Sequence, residues 1–187
     1  VKSELQKHLT PLLAIFIVVS IFWLFQKAVW YHYIFLFFGF FWGAFFLDLD
    51  HLIYWLYMNP NTEESRLAKI AIFKYDVNSV IKLFESTHKN HTNLIFHHFF
   101  FQVVLALISL FVFTSSSSPF AMAFLLALNI HLLVDEIDDY RHDKSHLQDW
   151  LFARESKQLP LDSLNKYIGI FLFLSSIFTI LLLRSAK

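Results

Sequence analysis

Long apolar stretches separated by polar segments dominate the chain, and their lengths match membrane-crossing helices. Five of them, at 9–25, 31–47, 94–113, 119–134 and 167–183, run 16 to 20 residues without Asp, Glu, Lys or Arg. At 1.5 Å per residue this is near the lower limit for a hydrocarbon core of ~30 Å, so their terminal residues sit close to the bilayer surface. The first stretch follows Lys2 and Lys7, as in a signal peptide. Yet "FQKAVW" after it has no small-residue cleavage site, and the stretch reads as a retained anchor. The expected fold is all-α: one integral-membrane domain over 1–187, a helical bundle of about five transmembrane helices with cytoplasmic loops at 59–93 and 135–166.

Within the first loop the period changes from continuous to amphipathic. "NPNTEESRLAKIAIFKYD" offers Asn61 or Thr62 as an N-cap and Glu63 and Glu64 in a first turn, then Leu67, Ile70 and Ala71 at helical spacing. "VNSVIKLFE" repeats this with Val80, Ile81 and Phe84. Two short amphipathic helices resting on the membrane surface are expected here. In the second loop, Trp150 of "DWLF" suits the interface, as do Tyr31, His32 and Tyr33 at the opposite face.

Composition supports the membrane assignment: 57% of the 187 residues are hydrophobic, 24 are Phe, and only three Gly and four Pro interrupt the helices. Zero net charge gives no reason to expect nucleic acid as a partner; membrane lipid is the partner the pattern implies. Twelve of the fifteen Lys and Arg fall in the N-terminal segment and the two long loops. The other three are Lys27, Arg184 and Lys187. The positive-inside rule then places the N-terminus and both loops in the cytoplasm and the C-terminus outside, in a cytoplasmic (inner) membrane.

This topology brings three polar clusters to one membrane depth. "DLDH" (Asp48, Asp50, His51) ends the second span, "HKNHTNLIFHH" (His88, His91, His97, His98) opens the third, and "HLLVDE" (His131, Asp135, Glu136) closes the fourth. Asp48 with His51 and His131 with Asp135 share helix faces; His91 and His98 do so if the helix starts early enough, with Gln102 below His98. Ionisable groups in spans cost several kcal/mol when unpaired and mark functional sites by default. Imidazole and carboxylate without any cysteine suit a divalent metal, zinc first, with manganese or iron as alternatives. Asp48, Asp50, His51, His88, His91, His97, His98, His131 and Asp135 are nine candidate ligands, enough for one ion with outer-shell partners or for two. Asp48 and His91 are the candidates for orienting water. His8, His142 and His146 read as solvated residues, and Glu136, Asp138 and Asp139 as a hydrated acidic turn.

The order of these motifs resembles the predicted membrane-bound metal-dependent hydrolases of bacteria and archaea. Their segments are Pro-Asp-Ile/Leu-Asp-His, His-Arg-Gly-x-Thr-His-Ser and a final His-x-x-x-Asp. The likeness spans residues 39–139 and implies metal-ligand roles for Asp48, Asp50, His51, His131 and Asp135. Leu47 replaces the usual proline, and Asn93 stands where the second histidine of the middle segment belongs, so that His97 or His98 would take its place. The expected function is a membrane-embedded metal-dependent hydrolase at the cytoplasmic interface, acting on a phosphoester or an amphipathic, lipid-like substrate. Two alternatives stand beside it: a haem-binding or electron-transfer protein using His98 and His131 as axial ligands, and a degenerate, structural metal-binding protein.

Overall fold

A computed structural model of the chain describes residues 4–186; Lys2 and Lys187, two of the cations counted above, lie outside the described residues. Every regular element among the described residues is helical. Helix α1 (Glu4–Phe25) turns at Lys27, whose left-handed φ of 57° closes the helix within two residues. Helix α2 (Trp30–Phe46) follows, and after a break at 47–48 come α3 (Leu49–Ile53) and a π-helical turn (Tyr54–Met58). Helices α4 (Glu63–Phe73) and α5 (Val77–Thr87) are the two short amphipathic helices expected in the first loop. They are N-capped by Thr62 onto Ser65 N–H and by Asp76 onto Ser79 N–H. An irregular stretch then leads to α6 (Phe99–Ser115), α7 (Pro119–His142), α8 (Lys144–Leu151) and α9 (Leu164–Arg184).

The stretches Gln6–Phe25, Trp30–Met58, Pro119–His142 and Leu161–Arg184 are long and apolar enough to cross a membrane. The remaining expected span corresponds to α6, which is apolar but has 17 residues. That is about 26 Å of helix, somewhat less than a ~30 Å core. It starts at Phe99 rather than residue 94, because 91–98 bends to serve the site described below.

Helix α7 is the centre of the bundle and packs against α1, α2, α6, α8 and α9. Its tightest neighbour is α2, for a reason visible in the sequence. Gly39 and Gly43 lie one turn apart, and a Cβ on Gly43 would fall 2.5 Å from Ala127 Cβ and 2.8 Å from Phe124 O. At Gly39 it would meet Phe120 O at 2.6 Å and Ala123 Cβ at 2.7 Å. Two small-xxx-small edges, Gly39/Gly43 and Ala123/Ala127, therefore let the backbones touch, a device that lipid-embedded helices use because burial from water does not drive them together. Asn129 Nδ2 donates to Ser109 Oγ at 2.9 Å and ties α7 to α6 on its other side.

Three expectations for the second loop are corrected. Residues 135–142 are the last two turns of α7, not loop. Glu136 and Asp139 are buried on that helix rather than forming a hydrated turn, because α6, α8 and α9 close over them. Trp150 is also buried, packed with Leu147, Leu164 and Ile168, and its Nε1–H donates to Asp139 at 2.8 Å instead of anchoring at an interface. We expect Gly43→Ala to destabilise the fold by about 1–3 kcal/mol, the usual cost of overpacking. Adding Ala127→Gly should recover part of that loss, and thermal unfolding of the four proteins in one detergent measures both effects.

Candidate metal centre

The α2–α7 contact sets the first ligand. The last carbonyls of a helix have no intrahelical partner, and at the end of α2 the ladder shortens, with Asp50 N bonding Leu47 O and His51 N bonding Asp48 O. Ala44 O accepts a bond from His131 Nδ1 at 3.0 Å. A carbonyl can only accept, so His131 Nδ1 carries a proton, and the neutral ring then presents a bare Nε2. That Nε2 is buried without a hydrogen-bond partner and faces Asp48 Oδ1 at 3.5 Å and Asp135 Oδ2 at 3.6 Å.

His97 and His51 follow the same rule. His97 Nδ1 lies 3.4 Å from Asp50 Oδ2, and His97 Nε2 lies 3.7 Å from Asp135 Oδ2. Asp50 is fully buried and also accepts the Phe96 N–H on Oδ2, which holds the 96–97 turn, while its Oδ1 has no hydrogen-bond partner. His51 Nδ1 meets His91 Nδ1 at 2.7 Å, and His91 Nε2 donates to Glu64 Oε1 at 2.8 Å. Burial pushes the His91 pKa down, with Glu64 opposing; a neutral His91 bonded this way accepts at Nδ1, which leaves His51 as the donor there. In all three histidines the Nδ1–H is engaged and the Nε2 lone pair is left over. Metal-ligating histidines are held this way by carboxylates and carbonyls.

One member was not expected. His8, read from sequence as solvated, is buried at the start of α1, stacks on His131 at 3.9 Å between ring centroids and places Nε2 3.3 Å from Asp135. His8, His131 and Asp135 form a group that could hold a metal ion, their ligand atoms all lying within 4.8 Å of one another. Two ligands of a tetrahedral ion at ~2.0–2.1 Å stand ~3.3 Å apart, close to the 3.3–3.7 Å separations here. A cavity of about 60 Å³, walled by His8, Asp48, His51, His97 and Asp135, gives room for an ion and a few waters. The residues present fit a divalent metal.

The remaining sequence candidates divide. His88 lines the cavity and stacks on Phe84, and Lys89 lines it too. His146, expected to be solvated, also lines it, 3.6 Å from Asp139, whereas His142 is exposed as expected. His98 does not join the group: its Nδ1 accepts from Phe100 N–H at the start of α6. The helical spacing of His91 with His98 fails because 91–98 is not helical, and that same irregularity is what delivers His97. Asn93 points elsewhere, accepting from Arg154 Nε at 2.9 Å. His131 faces two carboxylates while His98 bonds the start of α6, so no contact joins the two histidines named for the haem alternative.

Two partners were missed. Glu64 was read only as a first-turn acid, and its reach to His91 depends on how α4 folds back over the α3 end, which no local pattern encodes. Gln102 bonds the Tyr167 hydroxyl and belongs with buried Glu136 to a separate polar patch between α6, α7 and α9. No family model, curated protein or solved structure matches the chain. We expect Asp50→Asn to weaken zinc binding ~10–100-fold, as loss of an outer-shell partner does. His97→Ala should weaken it at least as much and His98→Ala not at all, measured by competition with a zinc chelator.

Proposed function

We propose that the protein is a membrane-embedded metal-dependent hydrolase acting on a phosphoester at the cytoplasmic face of the inner membrane. The observation that carries this is the common orientation of His97 and His131, with Nδ1 engaged and Nε2 beside the carboxylates of Asp48 and Asp135, and with His51, its Nδ1 bonded to His91, on the same cavity wall. A buried structural ion needs four closed ligands; here more donors than four surround a cavity with room for water. His8, His131, Asp135 and Asp48 would hold one ion, and His51 and His97 remain for a second. Zinc fits the donors best, with manganese and iron suited by the same nitrogen and oxygen set. A divalent ion there supplies Lewis-acid polarisation of a phosphoryl oxygen and a more acidic water.

The chain's own residues supply the rest. Asp48, whose Oδ1 lies 3.5 Å from His131 on the ion's side, would hold the ion through that oxygen and leave Oδ2 to take a proton from an attacking water. His91 acts through His51: bonded to Glu64, it fixes the tautomer of His51 and is a positioning residue. Lys89 on the cavity wall would meet a phosphate as a point charge. The resemblance of the motif order to the membrane-bound hydrolases agrees with this reading. So does the asymmetry of Lys and Arg, which by the positive-inside rule favours a cytoplasmic position for this end of the bundle.

Zinc- or manganese-loaded protein in detergent should hydrolyse a chromogenic phosphodiester or phosphomonoester. Asp48→Asn should lower kcat by ~10²–10⁴, the contribution typical of a general base. Stoichiometric metal without turnover on either ester would leave a structural metal protein and overturn the hydrolase reading.

A further inference from the structure

A second, apolar hollow of about 320 Å³ opens beside the polar cavity. Phe45, Leu49 and Leu52 form one side, and Val80, Ile81 and Phe84 of α5 the other. The two spaces adjoin, since His8, Asp48, His51 and Phe84 line both. A ligand filling both would be apolar at one end and polar at the other; Asp48, Asp135, Asp138 and Asp139 line the polar end beside Lys89, so an anionic head group there needs the bound ion as its counter-charge. The hollow's volume is at the small end of ligand pockets, ~300–1,000 Å³, which suits one hydrocarbon chain better than two.

The surroundings agree with entry from a bilayer. Helix α5 buries none of its residues, yet its apolar side carries Val77, Val80, Ile81 and Phe84. The neighbouring α4 exposes Leu67, Ile70 and Phe73. Such a hairpin dips into the headgroup–acyl boundary and keeps Lys69, Lys74 and Lys82 in reach of anionic lipid. We propose that the hollow between α3 and α5 seats one acyl chain of a lipid phosphoester whose head group occupies the polar cavity. The position of the head group rests on the hydrolase reading; the chain seat does not.

The test uses the zinc-loaded chain and a non-hydrolysable phosphonate analogue of a lysophosphatidic acid carrying a diazirine in its acyl chain. After illumination, peptide mass spectrometry should find labels concentrated on Leu49, Leu52, Val80, Ile81 and Phe84. Ile81→Trp, which fills the hollow from its exposed side, should lower labelling there roughly tenfold while zinc content stays at the wild-type level. Labels spread evenly over outward faces such as Phe111 and Phe173 would overturn the proposal. So would efficient disulfide pairing of Ile81→Cys in this cysteine-free chain, which would assign the hollow to a second copy. Labelling in place with no phosphoester turnover removes the hydrolase reading alone. Turnover of small esters with labelling absent removes the acyl seat alone.

Discussion

The contact of α2 with α7 at Gly39 and Gly43 is the constraint on which the rest depends. Helices in lipid gain little from hiding apolar surface, so they associate where backbones can come close. Here two glycines face two alanines, and the approach ends where Ala44 O receives His131 Nδ1. That bond fixes the tautomer of the central histidine and presents its Nε2 to Asp48 at the end of α2. A wider α2–α7 separation would leave the same residues in the same order with no common centre. The glycine pair thus works at the level of packing, and its consequence appears at the level of chemistry.

Several of the charges gathered at this end of the bundle are tolerated because they have partners, although both oxygens of Glu136 and Asp50 Oδ1 are buried without a hydrogen bond. Lys7 pairs with Asp138 at 2.8 Å, Glu64 with His91, and Asp50 with the Phe96 N–H and His97. What stays unbalanced is the inner ring, where His131 Nε2 has no hydrogen-bond partner and Asp48 and Asp135 stand near each other across it. Buried polar groups are rarely left so without a reason. A divalent cation satisfies the imidazole lone pairs and both carboxylates at once, which no single hydrogen-bond donor could do.

The membrane bundle could be read from the lengths of the apolar runs. The meeting of "DLDH" and "HLLVD" at one depth followed from topology, because spans entering from the same side must end at the same side. Helical spacing served only where helix persists, as in His131 with Asp135. It failed for His91 and His98, since residues 91–98 leave the helical ladder. His8 was open to the same depth argument that placed the other clusters, being at the matching end of the first span, but as a residue close to the N-terminus it reads as solvated. Gly39 and Gly43 stand one helical turn apart in "GFFWG", but which helix they face is set by tertiary packing that the spacing alone does not name. Glu64 and the burial of Trp150 depend on how surface helices fold back onto the bundle. Such tertiary choices leave no periodic trace.

The central claim is that one ion joins the start of α1, the end of α2 and the middle of α7. X-ray absorption on zinc-loaded protein in detergent tests it most directly, for wild type beside His8→Ala. The account predicts nitrogen and oxygen ligands at ~2.0–2.1 Å, with imidazole scattering that weakens by one histidine in the variant. A wild-type protein that takes up no stoichiometric metal, or a His8→Ala spectrum identical to it, would contradict the account.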